Sequence, residues 1–196
     1  MSHKEYYQYL KKRGRIGLLY RLFFLYPVIC RFLHGRVIDY GCGVGDFLRF
    51  RFNTVGVDIN PYAVEWCKKL GVDAVLIRDL PLPFNDNEFE GAIMDNVIEH
   101  INDPGPILDE LRRVLVKDGT LVIGVPGKRG YWYDSDHKKF YDEQRLADQL
   151  NEANFRCDKV FHMPIKSSFL DWKLRQYCIY GVFRSLKGSQ VTATGS

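Results

Sequence analysis

Nine residues, Val37-Ile-Asp-Tyr-Gly-Cys-Gly-Val-Gly45, limit what this chain can fold into more than any other stretch. An apolar strand runs directly into a loop with glycine at every second position. Gly41, Gly43 and Gly45 have no Cβ and tolerate positive φ, so the backbone can pass close to a ligand at the mouth of a sheet. Beyond this loop, short β-branched runs alternate with segments of helical period, as a parallel sheet with crossover helices requires.

The pattern predicts strands over 37–40, 54–58, 74–77, 89–94 and 120–125. A short helix over 44–52 joins the first two strands and ends at Asn53. Asn60-Pro61 opens a second helix, with Ala63, Trp66, Cys67 and Leu70 on one face and Gly71 as its stop. Pro104 and Pro106 open a third, lined by Ile107, Leu108, Leu111, Val114 and Leu115, and Asp118-Gly119 turns the chain into the fifth strand. Residues 142–153 form another amphipathic helix. The runs 155–161 and 176–183 read as final strands, antiparallel at the sheet edge. Two prolines and an Asn/Asp cluster make 81–87 a loop. The chain is long enough for one complete core, and its 196 residues with 46% apolar content point to one domain.

Five cysteines at scattered positions, with no C-x-x-C pair, argue against zinc, dithiol chemistry and a disulfide framework and fit a reducing cytoplasm. The apolar stretch 16–33 is broken by Arg21, Pro27 and Arg31, so it is too short to span a bilayer, which takes about 20 apolar residues. Residues 6–33 read instead as one or two amphipathic helices that cover the sheet or form a lid, with 1–35 as the N-terminal helical lid or cap. No secretory signal is evident. Both ends of the chain are basic and the middle is acidic. Such ends suit plain solvation, phosphates, an anionic membrane face or an acidic substrate, so nucleic acid and peripheral membrane contact stay open as partners. The polar segment 187–196 is expected to be a disordered tail.

The spacing of the glycines narrows the ligand. In the dinucleotide fingerprint G-x-G-x-x-G the third glycine would fall at position 46, where this chain has Asp46 and places Gly45 one residue early. Asp39, two residues before the first glycine, is unwelcome beside a pyrophosphate but suits a cationic, amine-bearing ligand. Over roughly residues 36–161 these features resemble the class I S-adenosylmethionine-dependent methyltransferases of the small, insertion-free kind. The resemblance implies an α/β fold with one Rossmann-like methyltransferase domain over 36–186. Its sheet would be mostly parallel, with an antiparallel edge strand and helices on both faces.

It further implies S-adenosylmethionine as cofactor. Asp39, Gly41, Cys42 and Gly43 would surround the methionine moiety, and Asp58 with Ile59, in Val-Gly-Val-Asp-Ile-Asn, would hold the ribose hydroxyls. Arg78, Asp79 and Leu80 would sit at the adenine, and Asp95 and Asn96 beneath the methionine. Asp39 as a helix cap, Asp58 as a strand-end turn residue and Asp79 as solvated loop are the alternatives.

Transfer to a hydroxyl needs a proton acceptor or a metal. His100 follows the fourth strand and His137 lies in a polar loop after the fifth, so both should reach the same sheet edge. Asn96-x-x-Glu99-His100 with Asp136-His137 is similar to the metal site of small-RNA 2′-O-methyltransferases and, in its first half, to ubiquinone-pathway O-methyltransferases. Asn96 replaces the first glutamate of that pattern, which weakens a hard-cation site, and no metal ligand set is assigned. The expected activity is methyl transfer to an oxygen of a small-molecule or glycan-like acceptor, with Tyr131, Trp132 and Tyr133 either walling its pocket or in the core. An RNA methyltransferase and a non-catalytic cofactor-binding or interaction protein are the rivals.

Overall fold

The computed structural model describes residues 2–12 and 14–187. Seven strands form one sheet in the order β3-β2-β1-β4-β5-β7-β6. They are β1 (Val37–Tyr40), β2 (Thr54–Asp58), β3 (Ala74–Leu76), β4 (Phe89–Asp95), β5 (Leu115–Pro126), β6 (Phe155–Met163) and β7 (Cys178–Ser185). The first five are parallel, and β7 enters reversed between β5 and β6, antiparallel to both.

Alternate side chains of the central strands go to opposite faces, so both faces are buried. Ile38, Ala92, Met94, Leu121 and Ile123 join a cluster with Leu108, Leu111, Leu146 and Leu150. Val37, Ile93 and Val122 join Leu25, Ile29 and Phe47 on the other face. The first set of helices is α6 (Gly105–Val114) and α8 (Glu143–Glu152); the second is α3 (Tyr26–Cys30) and α4 (Asp46–Phe50). Helix α5 (Pro61–Lys69) closes over β3, with Val64 and Cys67 packed on Ala74. Asn60 caps α5, its side chain accepting from the N–H of Tyr62 and Ala63.

Among the described residues the N-terminal segment holds two continuous helical runs, 3–11 and 15–30. Helix α1 (His3–Lys11) carries a capping box from Ser2 and Glu5. Helix α2 (Arg15–Tyr20) passes through a π-helical turn, Arg21–Leu25, into α3. Pro27 has no N–H to donate and would crowd the carbonyl four residues back, and just before it the ladder widens, the Tyr26 N–H donating to the Arg21 carbonyl. Among the described residues no helix is long and apolar enough to cross a membrane.

Several boundaries correct the sequence reading. Leu115 belongs to β5 and not to the helix before it, because it pairs with Phe89. Asp118 takes φ 57° and makes the expected turn an irregularity inside one long strand, after which Thr120 pairs with Gly91. The helix expected over 44–52 is shorter at both ends, since Gly45 at φ 78° is its N-cap. The final strand starts and ends two residues later than expected. Two short helices, α7 (Lys128–Tyr133) and α9 (Ser168–Lys173), were not foreseen. The tail expected over 187–196 lies, from residue 188 on, outside the described residues.

Strand order reverses between β1 and β4, and that is where an open α/β sheet leaves a crevice at its carboxyl edge. Gly56 of β2 supports the loop at this crevice: a Cβ there would come within 2.6 Å of Cys42 Sγ and 2.7 Å of Leu48 Cδ1. Gly56→Ala should therefore lower stability by about 1–3 kcal/mol through overpacking, measured as a drop in the urea unfolding midpoint at unchanged slope.

Candidate active site

At the carboxyl ends of β1, β2 and β4 lies a cavity of about 450 Å³, within the roughly 300–1,000 Å³ that small-ligand sites occupy. Its floor is the glycine loop. Gly41, Gly43 and Gly45 all take positive φ, and a side chain at Gly41 would run into Val97. One carboxylate fixes the shape of this loop. Asp58, buried at the end of β2, accepts from the Gly43 N–H through Oδ2 and from the Asn60 N–H through Oδ1, each at 2.8 Å. Asn60 in turn donates from Nδ2 to the His3 carbonyl at 2.7 Å, which ties α1 across the mouth of the cavity.

Asp39, Gly41, Cys42, Gly43, Asp58, Ile59, Asp95 and Asn96, expected at the cofactor, all line this cavity. Asp39 does not cap α4, whose cap position is Gly45. It is 5% exposed, and burial, with Asp95 and Asp58 nearby, holds its carboxyl well above the usual range. Asp95 accepts at Oδ1 from the Tyr180 hydroxyl at 2.8 Å and from Asn96 Nδ2 at 2.9 Å. Asn96 sits at φ 55°, a conformation asparagine tolerates better than most residues. Arg78, Asp79 and Leu80 are exposed and do not reach the cavity; Ile77 lines it on that side.

Sequence reasoning missed the groups that come from the N-terminal segment and from α4. Arg21, in the π-helical turn, lines the cavity and pairs with Asp46 at 2.7 Å, and Tyr26 stands beside them. Arg21 was visible only as a break in an apolar stretch. Among the described residues it is the single Lys or Arg lining a cavity that also presents Asp39, Asp46, Asp58 and Asp95.

Both histidines reach the same corner. The loop after α7 docks on the Glu99 carbonyl, which accepts from the N–H of Lys138 at 2.7 Å and of Lys139 at 3.1 Å. This brings the His137 ring to 4.6 Å from that of His100. His137 Nδ1 lies 2.8 Å from the Tyr131 carbonyl and His100 Nδ1 3.3 Å from the Asp136 carbonyl. A carbonyl only accepts, so Nδ1 carries a proton in each ring. Burial, followed by the neighbouring His137, lowers the His100 pKa and keeps that ring neutral. His100 lines the cavity; His137 stands behind it, its Nε2 3.8 Å from Glu99 Oε1.

Glu99 is 1% exposed, burial raises its pKa well above the usual carboxylate value, and neither oxygen finds a hydrogen-bond partner among the other described residues. Glu99, His100 and His137 offer three ligand atoms within 4.8 Å of one another, a set that could hold a divalent cation. The Asn96 side-chain amide donates to Asp95. Tyr131 stacks on His137 with ring centres 5.3 Å apart, whereas Trp132 and Tyr133 are exposed, so neither is core.

Residues 38–123 match a family described as a methyltransferase domain. An uncharacterized protein of Methanocaldococcus jannaschii is 30% identical over 72% of this chain and 68% of its own length. A probable tRNA methyltransferase 9B from Homo sapiens is 30% identical over 64% of this chain, but only 27% of that protein is matched. A Thermotoga maritima structure, described as a SAM-dependent methyltransferase and possible histamine N-methyltransferase, superimposes with a TM-score of 0.68. It is 22% identical and covers 93% of this chain and 98% of its own.

The burial of Asp39 sets a trade between stability and ligand binding. A carboxyl whose folded pKa is raised contributes most stability below its unfolded pKa near 4, and loses it as pH rises toward the folded pKa, at about 1.4 kcal/mol per pH unit. Asp39→Asn should therefore melt higher than the wild type at pH 8, with the gap closing toward pH 4, in calorimetric scans of the ligand-free protein.

Proposed function

The chain belongs to the class I S-adenosylmethionine-dependent methyltransferases, and on that premise we propose that it methylates an oxygen of a small-molecule or glycan-like acceptor. The observation that carries this reading is the meeting, at one sheet edge, of an acidic glycine-lined cavity with two histidines, His100 and His137, whose Nδ1 atoms face backbone carbonyls. When bound, S-adenosylmethionine supplies a methyl group already activated by its sulfonium. Its sulfonium and amino groups are cationic, which suits the Asp39 and Asp95 side of the cavity, and Arg21 is placed to counter its carboxylate.

Asp58 accepts one backbone hydrogen bond at each oxygen and keeps acceptor capacity on both for vicinal ribose hydroxyls. Arg78, Asp79 and Leu80, next to Ile77, are assigned to the outer, adenine end. Residues 1–35 act as the lid, with α1 tied down by Asn60. At the other end of the cavity His100 takes the hydroxyl proton of the acceptor at Nε2. His137, stacked on Tyr131 and tilted against His100, positions it.

The unpartnered oxygens of Glu99 favour a second reading of the same step, in which Glu99, His100 and His137 hold a divalent cation that lowers the pKa of the acceptor hydroxyl. The name of the human relative raises an RNA acceptor. Such binding would fall steeply with salt, whereas that of a small acceptor would not.

Titration calorimetry with S-adenosylhomocysteine and, separately, NAD tests the donor assignment. The former should bind at micromolar affinity and NAD should not. Asp58→Ala should weaken S-adenosylhomocysteine by about 1–3 kcal/mol. Binding of neither ligand would remove the reading and leave an interaction protein. With an acceptor in hand, His100→Ala should cut kcat by about 10²–10⁴-fold at unchanged affinity for S-adenosylhomocysteine. Loss of turnover on EDTA treatment, restored by a divalent metal, would select the cation reading.

A further inference from the structure

We propose that α7, α9 and the exposed flank of α2 with its π-helical turn form a docking surface for an anionic lipid bilayer. Helices α7 and α9 are one unit: the Lys128 N–H donates to Asp171 Oδ1 at 2.7 Å, and the Arg175 guanidinium lies 3.1 Å over the Tyr133 ring. Trp132, Tyr133, Ile165, Phe169 and Trp172 nevertheless project from this unit, with Trp132 77% and Phe169 68% exposed. Across 128–133 and 164–176 the exposed charges are Lys128, Arg129, Lys166, Lys173 and Arg175. Lys166 pairs with Glu143, and Asp171, the acid within these segments, is half-buried and holds the Lys128 N–H.

The chain that follows the α2 flank packs with the two ends of the segment carrying α9. Met163 and Cys178, which bound the segment carrying α9, share a buried cluster with Leu25 and Tyr26. Just before those two, Ile16, Leu19, Phe23 and Phe24 are exposed. Monomeric proteins rarely leave so many large apolar side chains together in water. Interleaved Trp, Phe and Lys/Arg are the composition of surfaces that lie in a bilayer interface, aromatic and aliphatic tips below the headgroups and cations among anionic ones. RNA would reward the flat rings and the cations, but offers no apolar medium to Ile16, Leu19 and Ile165.

The surface borders the catalytic corner through Tyr131, stacked on His137. An acceptor carried on a lipid would therefore meet the site from the membrane side. That consequence rests on the proposed methyl transfer, whereas the docking itself does not.

Flotation of the full chain with vesicles of phosphatidylcholine alone, or with about one-third phosphatidylglycerol, tests the docking. The wild type should float with the anionic vesicles and not the neutral ones, and brominated phospholipid should quench its tryptophan emission. Phe169→Ser and Trp132→Ser, at exposed positions, should each weaken vesicle binding tenfold or more while melting at the wild-type temperature. Three results would overturn the proposal. They are no vesicle binding, tighter binding to polyuridylate than to anionic vesicles, and a dimer in sedimentation that Phe169→Ser dissociates.

Discussion

The site depends on one carboxylate placed by one strand. Asp58 ends β2 with both oxygens turned back onto backbone N–H groups, one in the glycine loop and one at the start of α5. A hydrogen bond to a charged acceptor counts for more than an ordinary one, and here two of them bind three elements at a single residue. Burial opposes this by disfavouring the charge and pushes the Asp58 pKa up, the backbone donors pulling the other way. The cofactor end is thus held by main chain more than by side-chain packing. Asn60 extends the same network to α1, so the wall that closes the cavity is attached to the residue that shapes its floor.

The acids around this floor are costly to keep. Asp39, Asp58 and Asp95 stand close enough that the first two are held above their usual pKa by burial, and Asp39 also by its neighbours. A fold selected for stability alone would not collect them. Their presence makes sense for a ligand that brings positive charge, and this charge argument separates the cavity from a pyrophosphate site more firmly than the glycine spacing does.

Much of the sheet was legible because its signal is local. β-branched runs and helical periods are written over five to ten residues, and eight of the expected cofactor residues line the cavity because they lie at or just after strand ends. What could not be read was set by distant pairing. Leu115 has helical spacing and became strand because Phe89 holds it. Arg21 looked like an interruption and came to line the site because α3 packs on Phe47 and Ile93. Helix α9 had a readable start, since Ser167 accepts from the Leu170 N–H, but nothing in the periodicity of so short a stretch announced it.

The reversed strand also orders events in time. β6 precedes β7 in the chain, yet its hydrogen-bonded neighbour in the sheet is β7, which lies between it and β5. When Met163 has just left the ribosome, β6 is a strand without a partner and β5 still has an open edge. The parallel half of the sheet, with the glycine loop and Asp58, can settle first, since its pairings join segments already made. The last strand then zips two waiting edges at once, and until it does the nascent chain exposes the kind of unpaired edge that chaperones exist to cover.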